Sequence, residues 1–154
     1  MVNEIINGIA KAVKTEFPES KKIYIDEIEQ GMAEEINRPC FFIAFLEANQ
    51  EQHLGRRLWR EHSFDVHYFP QNEDAPSREI NGVLDRLRLA LRFIDVKEDS
   101  GAGVSKIAGT DMRHEVVDGV LHFFVSFNLF VLLPAPDEPY METVDHKQRI
   151  KEVE

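Results

Sequence analysis

Histidine, aspartate, cysteine and arginine are the side chains that could give this chain a reaction or a ligand, and their spacing limits what they could do. Asp65 and His67 stand two residues apart in an alternating segment, so on a strand they project from one face as a carboxylate beside an imidazole. His122 lies opposite Glu115 across a candidate hairpin, a second pair of the same kind. Such a pair suits a general base or two ligands of a metal ion, but a metal site needs a third ligand, and no spacing supplies one. Both pairs also serve as ordinary charge pairs on a sheet surface, so we expect no catalytic group, no metal and no cofactor. His53 and His146 lie in polar segments. Cys40 opens the apolar run CFFIAFL, where a thiol is a small buried hydrophobe with no neighbouring cation to favour the thiolate. Gly101-Ala102-Gly103 lacks the third glycine of a dinucleotide loop, and neither a phosphate loop nor a nucleophile elbow is present. Arg56, Arg57 and Arg60 surround Trp59 and could hold a phosphate or an acidic protein surface; they could equally only balance Glu51 and Glu61.

These residues must be positioned by elements that the pattern makes visible. Val2, Ile5, Ile6, Ile9, Val13 and Phe17 recur at helical steps up to Pro18, which predicts a first helix. Ile23 to Ile25 opens a short strand, followed over residues 26–35 by five acids and no base, which reads as a solvated connection. Cys40 to Leu46 is apolar on both parities, so the strand it forms needs cover on its second face. Ala48 to Arg57 is polar and holds Gly55, which predicts a long hairpin loop and a candidate contact element. From Leu58 to Phe69 the alternation is clean, giving a strand with one half-wet face.

Asp74, Pro76 and Ser77 precede Ile80, Val83, Leu84, Leu87, Leu91 and Ile94, the stripe of a second helix. Lys97 to Gly103 reads as a link and Val104 to Ala108 as a short strand. Val117-Asp118-Gly119-Val120 carries the Asp-Gly pair that suits the positive φ angles of a type I′ turn, which would set Glu115 opposite His122 and Val116 opposite Leu121. In the strand that follows, the odd positions from Leu121 to Leu133 are all apolar and should face the helices. The even positions, with His122, Phe124 and Phe130, are too apolar for a freely solvated face. Helix, strands, helix, strands implies an α+β domain over residues 1–133, an antiparallel sheet with two helices packed on one face, and a Pro-containing charged C-terminal tail over residues 134–154.

Composition bounds the function. One domain of 154 residues with 43% hydrophobic and 30% charged residues can bury a core. A net charge of −10 argues against binding a phosphate backbone or an acidic membrane surface, since both require an excess of Lys and Arg. A single cysteine allows no internal disulfide and suits a reducing compartment. The N-terminal stretch lacks the apolar core of a signal peptide, and no apolar run approaches the ~20 residues of a membrane helix. We therefore expect a soluble protein that folds in the cytoplasm.

Taken in order, the INGIAKAVKTEFP helix, IYIDEIEQG, PCFFI, FDVHYFP, EINGVLDRLRLAL and VVDGVLHFFVSFNLFV, followed by a proline-spaced MET tail, resemble the phage tail terminator family of tailed phages and prophages of Gram-positive bacteria. The likeness runs from about Ile5 to Thr143 and extends more distantly to the tail terminator of phage lambda. It implies a structural virion protein and no enzyme: a hexameric ring on the last ring of the tail tube that stops polymerisation and presents a surface to the head-tail connector proteins. It also implies a place in the virion tail, with assembly in the host bacterial cytoplasm. Its partners would be further copies of itself, the tail-tube protein and a connector protein, without sequence-specific nucleic acid binding and without a membrane. From polarity and length, the loop from Ala48 to Arg57 and the tail after Pro134 are the candidates for the tube or connector contacts, and the candidate contact residues are His53, Arg56, Arg57, Trp59, Arg60, Phe124 and Phe130. Two rivals differ in kind: a head-completion or connector protein of the virion, and a small metal-dependent enzyme built on Asp65, His67, Glu115 and His122.

Overall fold

The computed structural model describes residues 1–25, 37–98 and 103–137. The acidic connection over residues 26–35, the centre of the link at residues 99–102 and the tail beyond residue 137 lie outside the described residues. Two helices and six strands follow in the order α1 (Val2–Glu16), β1 (Lys22–Ile25), β2 (Cys40–Leu54), β3 (Arg57–Phe69), α2 (Ser77–Ala90), β4 (Phe93–Lys97), β5 (Val104–Val117) and β6 (Val120–Leu132). The strands form one curled sheet in the order β1-β2-β3-β6-β5-β4, an α+β fold.

The expected helices form for the expected reasons. Ile5, Ile6, Ile9 and Val13 of α1 and Ile80, Val83, Leu84 and Leu87 of α2 are buried in one core with Phe41, Ile43, Phe64, Val66, Phe123 and Phe127 of the sheet. Helix α1 stops where Phe17 returns its N–H to the Val13 carbonyl at 2.8 Å and Pro18 has no N–H to extend the ladder. Its Gly8 lets α1 approach β4 closely: a Cβ there would lie 2.7 Å from the Asp95 carbonyl oxygen. At the start of α2, Glu79 accepts hydrogen bonds from the Tyr68 hydroxyl (3.1 Å) and from the Gln71 and Asn72 N–H groups (3.2 Å each), which ties the end of β3 to the helix. Arg86 of α2 reaches Glu16 and Glu19 at the end of α1, with its guanidinium 4.2 Å from the Phe17 ring.

Four sequence expectations change. The sheet is mixed rather than wholly antiparallel, because β1 pairs parallel to β2, with Lys22 opposite Cys40 and Ile25 opposite Ile43. The polar stretch from Ala48 to Arg57 is no loop: β2 continues to Leu54, and a two-residue turn at Gly55 and Arg56, with Gly55 at φ +57°, leads into β3. Residues 45–54 are exposed on both sides, so no apolar face marks them, and the backbone ladder to β3 alone keeps them extended. Ile94 belongs to β4 and not to α2, since the Ile94-Val96 alternation, both buried, overrides a helical step from Leu91. The strand begun at Val104 runs to Val117, bent by an irregularity between Thr110 and Arg113 where Asp111 has φ +51°. One half of β5 pairs with β4 and the other with β6.

The Asp118-Gly119 turn is as expected, with φ of +52° and +74° and the register Glu115↔His122, Val116↔Leu121 and Val117↔Val120. On β6, Leu121, Phe123, Val125 and Phe127 face the helices and are buried. The outer edge of β2 meets β1 only at Cys40–Ile43; from Ala44 to Leu54 it has no strand partner among the described residues.

Among the described residues, one buried polar side chain sits on the core side. His62 is 3% exposed, and its Nδ1 lies 3.2 Å from the Phe127 carbonyl oxygen, to which it donates as the neutral Nδ1–H tautomer. Burial holds its pKa below the ordinary 6.5, a drop that the bond to Phe127 partly offsets and that Arg60 reinforces. The unfolded chain therefore takes up this proton first as pH falls, so stability is full above about 6.5 and declines below it, by about 1.4 kcal/mol per unit of depression. Urea unfolding at about pH 7.5 and about pH 5.5 is expected to show a smaller acid loss for His62→Gln than for the parent protein; equal losses would sink this assignment.

Candidate functional site

Helices cover one face of the sheet, and chemistry and contact must be sought on the other. Side chains alternate along β3 and β6, so Trp59, Glu61, Ser63, Asp65 and His67 share the second face with His122, Phe124, Ser126, Asn128 and Phe130. Because β3 and β6 run antiparallel in register, Trp59 lies opposite Phe130, Ser63 opposite Ser126, Asp65 opposite Phe124 and His67 opposite His122.

Two groups stand out on this face. Near the turn at Gly55, the Phe130 ring lies 4.6 Å from Trp59 and 5.3 Å from His53, centroid to centroid, and the Trp59 indole N–H donates to Glu61 at 3.0 Å. Phe130 is 54% exposed, and Leu54, Leu132 and Leu133 around it are exposed as well. Arg56 sits in the turn and donates to the Leu133 carbonyl at 3.0 Å, while Arg57 is exposed at the first position of β3. Five of the seven candidate contact residues thus gather at this end. Arg60 does not join them: its parity turns it to the helix side, where it donates to Gln50 at 2.8 Å and approaches the Met1 sulfur. Phe124 shares the outer face but lies six residues from Phe130, about 20 Å along the strand, with the Arg113 guanidinium 4.2 Å from its ring.

The second group is centred on Asp65. Its Oδ2 accepts hydrogen bonds from His67 Nε2 at 2.8 Å and His122 Nδ1 at 2.9 Å. The two imidazole rings stand 4.2 Å apart, with Phe42 beside His67 and Phe124 stacked against His122. Phe42 also stacks with Tyr24, so in-face aromatic neighbours supply some of the cover that the apolar second parity of β2 requires. Asp65 is 6% exposed, and its Oδ1 is buried with no hydrogen-bond partner.

The sequence offered these residues as two separate pairs. The structure merges Asp65–His67 with His122, because the β3–β6 register sets His67 directly opposite His122. No local signal carries that register, since the two strands are joined through α2, β4 and β5. Glu115 keeps its place opposite His122. Cys40 is fully buried, and burial pushes its thiol up to about 11 against the weaker pull of Arg38, so it carries no thiolate near neutral pH. Among the described residues, no helix is long and apolar enough to cross a membrane.

A model of the family described as phage tail terminator protein matches residues 4–139. The chain belongs to that family. No curated protein matches it. As a tail terminator it is a structural protein of the phage tail, located in the virion tail and in contact with other tail components. That membership points to a structural rather than a catalytic protein.

Proposed function

We propose that this tail terminator closes the end of the tail tube as a hexameric ring, stops further tube polymerisation, and offers its opposite surface to the head-tail connector proteins. Family membership supports the terminator role, and the observation that carries the ring is the apolar surface at one end of the sheet that the described residues leave uncovered. Leu54, Phe130, Leu132 and Leu133 leave more apolar area in water at one place than scattered surface residues would, and a neighbouring subunit would remove it. Contacts between different surfaces of identical copies close into a ring when the rotation between them divides a full turn. His53, Arg56, Arg57 and Trp59 would lie in or beside such a contact, and Arg60 and Phe124 at its margins. A net charge of −10 suits a channel that DNA must traverse without adhering. Termination then follows from geometry: one ring surface docks on the tube, and the other lacks the features that add a further ring. Assembly in the host cytoplasm completes the reading.

Light scattering of the column-purified protein, with and without purified tail-tube protein, tests this together with electron microscopy of tube length. The expected result is a six-fold assembly, either free or formed on the tube ends, with tubes of arrested length. A protein that stays monomeric and leaves tube length unchanged would transfer it to the connector role.

A further inference from the structure

We infer that Asp65, His67 and His122 form a binding site for one divalent transition-metal ion, of which Zn2+ fits best. The proposal stands apart from ring formation, because all three ligands come from one chain. One ligand atom from each residue lies within 4.8 Å of the others. Around a tetrahedral ion with bonds of about 2.0–2.2 Å, ligand atoms lie roughly 3.3–3.5 Å apart. The nitrogens now stand 2.8 and 2.9 Å from Asp65 Oδ2, so each withdraws from it by roughly half an ångström, and the two nitrogens, within 4.8 Å of each other, settle to the same spacing to admit the ion.

A second, independent observation points the same way. Asp65 is more than nine-tenths buried, and its Oδ1 has no partner although a buried carboxylate oxygen ordinarily finds one. No Lys or Arg forms an ion pair with Asp65 among the described residues; the nearby Arg113 is stacked on Phe124. In a chain of net charge −10, this carboxylate is thus compensated only by two imidazole N–H groups. A divalent ion would supply the missing charge, and Glu115, opposite His122, adds to the local attraction.

The donor set selects the ion. Two imidazoles and one carboxylate suit Zn2+, Co2+ or Ni2+, whereas Mg2+ and Ca2+ require more oxygen donors than the cluster holds. The strand ladder fixes the backbone of two ligands directly opposite each other, and the aromatic rings of Phe42 and Phe124 flank them, so the site is held before any ion enters. His67 and His122 are each about one-fifth exposed, which leaves an entry path for the ion.

The test uses the full-length protein, stripped with a chelator and titrated with ZnCl2 by calorimetry. One Zn2+ per chain is expected, with a rise in melting temperature and no response to MgCl2. His67→Gln and His122→Gln are each expected to weaken Zn2+ binding at least tenfold, whereas His53→Gln and His114→Gln leave it unchanged. The absence of binding, or binding that survives both His67→Gln and His122→Gln, would overturn the proposal. Should either variant fail to fold by circular dichroism, the visible spectrum of the Co2+-loaded parent protein decides: intense tetrahedral bands support the site, and weak octahedral bands refute it.

Discussion

Gly109→Ala is expected to lower the unfolding free energy by about 3 kcal/mol, from overpacking of roughly 1–3 kcal/mol plus the loss of a backbone hydrogen bond. A Cβ at this position would stand 2.2 Å from the Leu91 carbonyl oxygen, 3.0 Å from Met112 Cε and 3.1 Å from Val125 Cγ2. Met112 is flexible and could yield, but Leu91 is the fully buried C-cap of α2 and its carbonyl belongs to the backbone. Relief therefore requires β5 to move away, and that breaks the 2.9 Å bond from the Gly109 N–H to the Arg92 carbonyl. The position is also where β5 passes from pairing with β4 to pairing with β6, so the strain falls on both. Gly82→Ala provides the contrast. That glycine sits inside α2 with nothing within 4 Å of the place an added methyl group would take, so alanine there is expected to stabilise by about 0.5–1 kcal/mol. Urea denaturation of the two variants should show opposite signs, and a Gly109→Ala protein within about 1 kcal/mol of its parent would mean that β5 shifts without penalty.

Phe130→Glu is expected to abolish tube capping while leaving the fold intact. More than half of the Phe130 ring is exposed, so the substitution removes contacts with Trp59 and His53 at a stability cost of about 1 kcal/mol or less. In a subunit contact the same change buries an unpaired carboxylate, which costs several kcal/mol at every repeat of the ring. Leu89→Glu is the matched control: Leu89 is more exposed still, but lies on α2, away from the aromatic end. The measurements are circular dichroism for folding, light scattering for assembly, and tube length by electron microscopy. A Phe130→Glu protein that caps tubes like its parent would remove the aromatic end from every contact proposed for it.

The parts of the fold legible in the sequence are those with a local cause. The α1 stripe, the α2 stripe as far as Leu91, the odd-parity core face of β6 from Leu121 to Phe127 and the Asp-Gly turn each rest on a few adjacent residues and stand where their patterns place them, whereas Leu133, predicted on that core face, is exposed beyond the end of β6. The polar half of β2 is not legible, because a strand exposed on both faces has no hydrophobic period, and its partner in β3 supplies all that holds it. Strand β4 is hidden by Ile94, whose spacing from Leu91 serves a helix as well as its spacing to Val96 serves a strand. At the site, Asp65 with His67 and His122 with Glu115 can be read as pairs because two-residue alternation and a tight turn are local. Their union cannot, since it depends on the register of two strands more than fifty residues apart. The aromatic end has a partial signal: Trp59, His53 and Phe130 are each conspicuous, but only the β2–β3 and β3–β6 pairings together put the rings in contact.

The flank of β2 from Ala44 to Leu54, open among the described residues, bears on how much of this protein an infected cell can hold. Unpaired N–H and C=O groups along a strand accept any other extended chain, and two free copies meeting flank to flank would be lost to assembly. Glu47 and Glu51 place negative charge along that flank, and the irregularities between Phe45 and Glu47 and between Gln52 and Leu54 interrupt the regular ladder a second copy would need. These features slow wasteful pairing without forbidding it. Encounters between free copies rise with the square of their concentration, while encounters with tail ends rise only in proportion to it. A lineage that makes this protein sparingly, in numbers close to those its tails consume, therefore loses the smallest share of it.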